Sequence, residues 1–196
     1  MLGEGQFGVV VAATARNIGA APGRSTVAVK MARPGAAVSD LADLVTEYNL
    51  LRDLDHPNVI RLVGACTDSR GPFYLILEYA ELGCLRLHLR GLRAELRANT
   101  EAVWPRAGSS VLSFARQIAA GMAYLAGLKV VHRDLATRNV LLARGGVCKI
   151  SDFGLSRDVY EDQTYTKLGG GKVPVKWLAP ECLRDMVTRD TCRCNV

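Results

Sequence analysis

The chain has 196 residues, of which 49% are hydrophobic and 22% charged, and its formal net charge is +6. This is the composition of an ordinary globular protein, and it excludes collagen-like and disordered chains. The longest apolar stretch, 118–131, is interrupted by glycines and Lys129. It falls short of the roughly 18 apolar residues that a membrane-spanning helix needs, so the sequence predicts no transmembrane segment.

The first 79 residues contain apolar runs separated by glycine and proline breakers, a pattern typical of antiparallel strands. Strands are predicted at 9–13, 25–31, 59–66 and 73–79. A run of apolar residues with helical spacing from Leu41 to Leu51 predicts one helix, with Ser39 as its N-cap and Pro57 beyond its end. The run at 9–15 also has the length of a signal-peptide core, but no basic segment precedes it. We interpret it as a strand.

The periodicity becomes helical after residue 79, most clearly between Val111 and Leu125. Residues 91–109 have a weaker pattern and contain a proline, so a surface insertion between helices is predicted there. Short apolar segments at 129–131, 139–142 and 147–150 bracket two polar loops. The sequence therefore predicts an α+β fold, with a cleft between a β-rich lobe and an α-rich lobe.

The 6 cysteines are scattered without a CxxC pair. The usual zinc spacings are therefore missing, and reduced thiols in a cytosolic setting are expected. Six arginines between Arg86 and Arg116 accompany only Glu95 and Glu101. Such a patch can bind nucleic acid or anionic lipid. Because few aromatic residues are interleaved with these arginines, Trp104 among them, we interpret the patch as solvated surface and expect no nucleic-acid partner.

Three glycines, Gly3, Gly5 and Gly8, lie close together in the string GEGQFGVV. Backbone N–H groups at such positions can approach phosphate oxygens, because glycine has no side chain. A dinucleotide-binding turn has a similar glycine spacing, but it follows a strand and opens a helix. Here a β-rich run follows instead, so a phosphate-binding turn that leads into a strand is predicted.

Lys30 stands in the strand VAVK, where a point cation can pair with phosphate oxygens. Alone, it would be read as an ordinary strand-end lysine. Glu47, however, lies one turn from Leu44 and Leu51, at the edge of the buried stripe of its helix. A carboxylate there needs a partner, because its desolvation is costly. We therefore predict that Lys30 and Glu47 form an ion pair that holds the helix against the sheet.

Two polar loops follow, HRDLATRN at 132–139 and DFG at 152–154. Asp134 can accept a proton from an incoming hydroxyl. Asn139 and Asp152 offer the oxygen ligands that Mg²⁺ prefers. The two aspartates can also be interpreted as residues that cap loops. Under that interpretation, however, the other signature residues of the two loops would be present only by coincidence.

The ordered motifs from Gly3 to Glu181 resemble those of the protein kinase family. HRDLATRN is similar to the tyrosine-kinase form, since Ala136 stands where serine/threonine kinases usually have lysine and Arg138 precedes Asn139. HPNVIRLVGAC, LILEYAELG and DFGLSRDVYEDQTY are similar to receptor tyrosine kinases of the Ret and fibroblast growth factor receptor groups. The resemblance implies ATP and Mg²⁺ as cofactors and tyrosine-bearing protein substrates. It also implies a membrane-anchored, dimerising parent whose kinase domain lies on the cytoplasmic side of the plasma membrane.

The same resemblance assigns roles to individual residues. The catalytic set is Asp134, Arg138, Asn139, Lys30 and Glu47, and the metal ligands are Asn139 and Asp152. The ATP-binding set is Leu2, Gly3, Gly5, Gly8, Val10, Ala28, Lys30, Leu141 and the hinge residues Glu78, Tyr79 and Ala80, with Leu77 as gatekeeper. Tyr160 and Tyr165 match regulatory tyrosines whose phosphates pair with Arg133. Pro174 and Trp177 match the platform that receives the substrate tyrosine.

The implied organisation is a bilobal kinase fold with an N-lobe at 1–80, a partial C-lobe at 81–188 and an atypical tail at 189–196. A complete kinase domain continues after the APE string at 179–181, so the C-lobe is expected to be incomplete and to expose apolar helix faces. An alternative function follows from that expectation. The chain would be a catalytically impaired fragment that acts only as a nucleotide-binding or partner-binding, dominant-negative module.

Overall fold

A computed structural model describes residues 1–5, 8–18, 23–67, 71–154, 156–158, 165–166 and 187–188. Its first half is a 5-stranded antiparallel sheet in the order β1-β2-β3-β5-β4. The strands are β1 (Gly3–Gly5), β2 (Gly8–Arg16), β3 (Arg24–Met31), β4 (Leu62–Cys66) and β5 (Tyr74–Glu78). The predicted antiparallel sheet is therefore confirmed.

Gly8 opens β2 at a position that only glycine fits. Its φ is +122°, and a Cβ built on it would lie 2.2 Å from the carbonyl oxygen of Met31. Backbone in this region strains any residue with a side chain. The constraint on Gly8 thus comes from close packing against β3, in addition to the phosphate approach predicted from the sequence.

One helix, α1 (Val38–Leu51), packs on the sheet through Leu44, Glu47 and Leu51. The prediction of Ser39 as N-cap is wrong, because the helix begins at Val38 and Ala37 is the N-cap residue. The Asp40 side chain stabilises this start by accepting a hydrogen bond from the Ala37 N–H at 3.1 Å. An acidic residue in the first turn also interacts favourably with the positive end of the helix dipole.

Residues 58–60 join the sheet half to the helical half. The predicted strand at 59–66 begins only at Leu62, because Val59 pairs instead with Ile150 in a parallel bridge. The Ile60 N–H donates to the Ile150 carbonyl at 2.8 Å, and the Ile150 N–H donates to the Asn58 carbonyl at 2.9 Å. The buried Asn58 amide also donates to the Cys148 carbonyl and to Gln117 Oε1, at 3.0 and 3.1 Å.

Two helices follow the sheet, α2 (Leu85–Ala98) and α3 (Thr100–Gly127). The predicted insertion at 91–109 is therefore wrong, because α2 and α3 extend through it. Asn99 caps α3 by accepting from the Ala102 N–H at 3.2 Å, and Arg106 pairs with Glu95 across the junction at 2.6 Å. Pro105 lies inside α3, where it provides no N–H for the carbonyl of Glu101, an exposed residue.

Four short strands complete the part that holds the polar loops. Strand β6 (Val130–Val131) pairs with β9 (Arg157–Asp158), and β7 (Val140–Ala143) forms a hairpin with β8 (Val147–Ile150). Strands β10 (Tyr165–Thr166) and β11 (Val187–Thr188) also pair. One continuous apolar core runs from β3 and α1 through β5 to α3 and β8. Among the described residues no helix is long and apolar enough to cross a membrane.

The described cysteines are free thiols. Cys66 and Cys84 are half-buried, whereas Cys148 is fully buried in β8. Burial raises the pKa of the Cys148 thiol to about 11, so this sulfur stays protonated and unreactive. In the described part of the chain, no three His, Cys, Asp or Glu side chains gather as metal ligands would.

Gly121 gives a test of the packing between α3 and the linking segment. A Cβ there would lie 2.7 Å from Ile150 Cδ1 and 3.0 Å from the Asn58 carbonyl oxygen, whereas one at Gly108 of the same helix meets nothing within 4 Å. We expect Gly121→Ala to lower the free energy of unfolding by about 1–3 kcal/mol through overpacking. Gly108→Ala should raise it by about 0.5–1 kcal/mol through helix propensity. Urea denaturation measures both, and equal effects at the two sites would contradict the described packing.

Candidate active site

Lys30, Glu47 and Asp152 meet where β3, α1 and the loop after β8 converge. Lys30 Nζ lies 2.6 Å from Glu47 Oε2 and 2.9 Å from Asp152 Oδ1. The second oxygen of Glu47 accepts a hydrogen bond from the Phe153 N–H at 3.3 Å. The structure thus contains the ion pair predicted between Lys30 and Glu47, and it adds Asp152 as a second carboxylate on the same ammonium group.

The charges of this trio stabilise one another, and two of its members, Lys30 and Glu47, are almost fully buried. Burial lowers the pKa of Lys30, but the charges of Glu47 and Asp152 outweigh burial and raise the pKa overall. Burial likewise raises the pKa of Glu47, and Lys30 opposes that shift. Because removal of Lys30 would leave the buried Glu47 carboxylate without its cation, these groups hold each other in place.

His132 anchors the polar loop that follows β6. Its ring is fully buried and packs against Phe153 with ring centroids 5.0 Å apart. Nδ1 accepts from the Asp134 N–H at 3.3 Å, so the ring proton lies on Nε2, which is 3.1 Å from the Ser151 carbonyl. Burial lowers the pKa of His132. A neutral imidazole therefore ties the loop of Asp134 to the loop of Asp152.

The Asp134 carboxylate is bound by two neighbours from its own loop. The Arg138 guanidinium contacts Oδ1, and the Asn139 amide donates to Oδ2 at 2.7 Å and to the Asp134 carbonyl at 2.8 Å. Burial raises the pKa of Asp134 and outweighs the opposing effects of Asn139 and Arg138. The carboxylate is oriented by these bonds and is more basic than an aspartate in water.

Ser151 joins the two polar loops and was missed in the sequence analysis. Its N–H and its hydroxyl each donate to the Asn139 carbonyl at 2.8 Å. Each loop also has one non-glycine residue in the left-handed region, Arg133 and Asp152, both with φ of 66°. Such residues persist only where surrounding bonds hold them. A small polar residue directly before Asp152 is the only sequence signal for the role of Ser151.

The donor groups of Asn139 and Asp152 fit a magnesium ion. The Asn139 amide nitrogen is committed to Asp134, which leaves its oxygen as the group available to a cation. The Asp152 side chain is 32% exposed, and Lys30 pairs with its Oδ1 atom. Mg²⁺ takes one or two protein oxygen ligands of this kind and completes its shell with phosphates and water.

The predicted ATP-binding residues lie on or beside β1, β2, β3, β5 and β7. The Leu2 N–H donates to the Val10 carbonyl at 2.8 Å, and a Cβ at Gly3 would meet nothing within 4 Å. Val10, Ala28 and Leu141 belong to the same apolar core. Gly5 pairs with Gly8 at the end of β1, and the two residues between them lie outside the described part.

The predicted hinge begins at Glu78, the last residue of β5, and continues through Tyr79 and Ala80. The Glu78 side chain has an additional function that the sequence did not reveal: its Oε1 accepts from Lys149 Nζ at 2.9 Å and from the Arg61 N–H at 2.8 Å. Lys149 lies in β8, three residues before Asp152. A half-buried ion pair thus links the end of β5 to the strand that leads into the Asp152 loop.

Several predicted residues fall outside the described part of the chain. These are Tyr160, Pro174 and Trp177, and of Tyr165 only the pairing of β10 is described. Their assignments stay predictions.

A family model described as protein tyrosine and serine/threonine kinase matches residues 1–192. The chain therefore belongs to this kinase family. The expected kinase fold, with a β-sheet N-lobe followed by helices, is confirmed, and the described residues contain three helices and only part of a C-lobe. The family includes kinases of both tyrosine and serine/threonine residues, and its members generally use ATP and Mg²⁺.

Proposed function

We propose that this kinase transfers the γ-phosphoryl group of ATP to tyrosine side chains of proteins. The convergence of Lys30, Glu47 and Asp152 within 2.9 Å supports this function most directly. Ser151 fixes that trio to the loop that carries Asp134 and Asn139. A cation for phosphates, two oxygen ligands for a metal and an oriented carboxylate are the parts that phosphoryl transfer requires.

Each part has a distinct task in the proposed reaction. Lys30 binds phosphate oxygens, and Glu47 keeps its ammonium group in position. Asn139 and Asp152 would hold Mg²⁺, which neutralises charge on the phosphates when it is bound. Val10, Ala28 and Leu141 would contact the adenine base, and the backbone of Glu78 to Ala80 would hydrogen-bond to it.

Asp134 is the proposed base. It accepts the proton of the substrate hydroxyl as the phosphoryl group is transferred, and its raised pKa makes it a better acceptor than an aspartate in water. The Arg138 and Asn139 contacts fix the orientation of the carboxylate. Because Arg138 and Ala136 are typical of the tyrosine-kinase form of this loop, they support tyrosine as the acceptor.

The cellular setting is proposed from resemblance. The strings similar to the Ret and fibroblast growth factor receptor groups favour a receptor-type parent that is membrane-anchored, dimerises and signals from the cytoplasmic side of the plasma membrane. In that setting, residues 1–80 and 81–188 are the two lobes. Tyr160 and Tyr165 would be regulatory sites, and Pro174 and Trp177 would receive the substrate tyrosine.

The acceptor can be tested with the full chain, Mg-ATP and matched peptides that differ only in tyrosine, serine or phenylalanine. We expect the tyrosine peptide to be phosphorylated at least about tenfold faster than the serine peptide. A site shaped for one acceptor binds the transition state of that acceptor more tightly than that of the other. Phosphate incorporation, followed by phosphoamino-acid analysis, measures this ratio. Removal of Mg²⁺ with a chelator and the phenylalanine peptide are the controls.

Two outcomes would contradict the proposal. Faster transfer to serine would reassign the acceptor. Binding of ATP without transfer to any peptide would instead support the alternative of a nucleotide-binding module.

A further inference from the structure

A row of four arginines runs along the exposed face of α2. Arg86, Arg90, Arg93 and Arg97, here called the arginine stripe, are spaced by four, three and four residues. This spacing places them on one side of a helix. All four are exposed. Over eleven residues, at about 1.5 Å per residue, the arginine stripe is about 16 Å long.

The arginine stripe is not neutralised by the described part of the protein. Glu95, the acidic residue of α2, pairs with Arg106 of α3, and Glu81 in the preceding turn pairs with Arg144. None of the four arginines makes an ion pair within the described residues. Like charges at such spacing repel each other, so an anionic partner would relieve an unfavourable arrangement.

The arginine stripe begins beside the loop that carries the proposed base. The Arg86 N–H donates to the Thr137 carbonyl at 2.9 Å, and Thr137 lies between Asp134 and Arg138. Another face of α2 is buried through Leu85 and Leu92, and Cys84 bridges to Leu141 of β7. The first turn of α2 is therefore fixed beside the loop of the proposed base.

We propose that the arginine stripe binds an acidic segment of the protein substrate next to the acceptor tyrosine. An extended peptide advances about 3.3 Å per residue, so the arginine stripe accommodates about five residues. The chain itself contains a tyrosine with acidic neighbours, since Asp158, Glu161 and Asp162 surround Tyr160. A substrate is favoured over a nucleic acid because the arginine stripe starts at the Asp134 loop and lacks aromatic residues for base stacking.

This inference rests on the proposed function, and equilibrium binding tests it without turnover. The probes are a fluorescent tyrosine peptide with glutamates next to the acceptor and its counterpart with glutamines. We expect fluorescence anisotropy to give about tenfold tighter binding of the glutamate peptide at low salt, as several exposed ion pairs of modest strength would produce. The preference should decrease at high salt, since exposed charges are screened.

A fourfold variant replaces the whole arginine stripe with glutamine: Arg86→Gln, Arg90→Gln, Arg93→Gln and Arg97→Gln. It should bind the two peptides with equal affinity. Its affinity for the glutamine peptide should match that of the wild type. The control is Arg16→Gln with Arg24→Gln, two exposed arginines paired at the far end of the β2–β3 hairpin, and it should keep the preference. Where turnover occurs, kcat/KM for the two peptides should change in the same ratio.

Equal affinity of the wild type for the two peptides would overturn the inference. So would a fourfold variant that loses binding of a single-stranded oligonucleotide but keeps its peptide preference, because the arginine stripe would then be a nucleic-acid surface. Selective binding of the glutamate peptide without phosphorylation would support the arginine stripe while contradicting the proposed function.

Discussion

Asp134→Asn is expected to lower kcat by about 10²–10⁴-fold, the range that a general base contributes. Asparagine keeps the size of the side chain but cannot accept the substrate proton. In the wild type, Arg138 and Asn139 orient the Asp134 carboxylate. The substitution therefore removes the basic carboxylate from a side chain that is already positioned for the reaction. Affinity for ATP should change little, because Lys30, Asn139 and Asp152 remain.

Steady-state kinetics with a tyrosine peptide and ATP titration separate these two effects. Asp53→Asn is the matched control, since Asp53 is exposed and, among the described residues, pairs with the adjacent Arg52 alone. Its kcat should equal that of the wild type. Wild-type turnover by Asp134→Asn would show that another group takes the proton.

The pH profile gives a second measurement of the same role. The pKa of Asp134 is raised from its ordinary value of 3.8. Activity should therefore fall as the pH decreases through that raised pKa, because the protonated carboxyl no longer accepts a proton. The acid limb of kcat/KM should lie above pH 3.8, and the residual activity of Asp134→Asn should lack this limb.

Patterns that combine hydrophobic spacing with charge were predictable from the sequence. Glu47 on a buried helix stripe needed a cation, and Lys30 was the available partner, which the structure bears out at 2.6 Å. The antiparallel sheet followed from apolar runs separated by glycine and proline breakers. In both cases the need to bury apolar side chains leaves few possible arrangements. The spacing of residues along the chain therefore predicts which side chains lie close together.

Local signals failed where tertiary contacts decide the outcome. A proline in a polar run favoured an insertion, but the Asn99 cap and the Glu95–Arg106 pair allow α3 to include Pro105. Val59 has strand composition yet pairs with Ile150, which lies 91 residues later in the chain. Ser151 contributes through its contact with the Asn139 backbone. Such contacts join residues that are far apart in the sequence, so a short sequence pattern does not predict them.

Lys30→Met is expected to lower the free energy of unfolding by about 3–5 kcal/mol, the cost of breaking a buried ion pair from one side. The side chain of Glu47 is 2% exposed, so it would keep a charge with neither water nor its ammonium partner. Domains of this size have about 5–15 kcal/mol of stability in total, and the variant should therefore be marginally folded. Phosphoryl transfer should be lost with the cation.

Two further variants separate the cost of the unpaired charge from the cost of lost packing. Arg106→Met breaks an exposed pair of the same 2.6 Å length, and it should cost less than about 1 kcal/mol. The double variant Lys30→Met with Glu47→Leu should recover much of the lost stability, because no unpaired carboxylate remains at position 47. Urea denaturation followed by circular dichroism measures all three variants.

The pH dependence identifies the unpaired carboxylate as the cause. Without Lys30 the pKa of Glu47, which burial already raises, should rise further. A carboxyl whose folded pKa exceeds its unfolded value destabilises the fold at neutral pH, and this penalty shrinks as the pH falls below the folded value. The stability of Lys30→Met relative to the wild type should therefore recover on acidification, whereas that of the double variant should not. If the stability difference between Lys30→Met and the wild type did not depend on pH, the cause would instead be the lost packing of the lysine side chain.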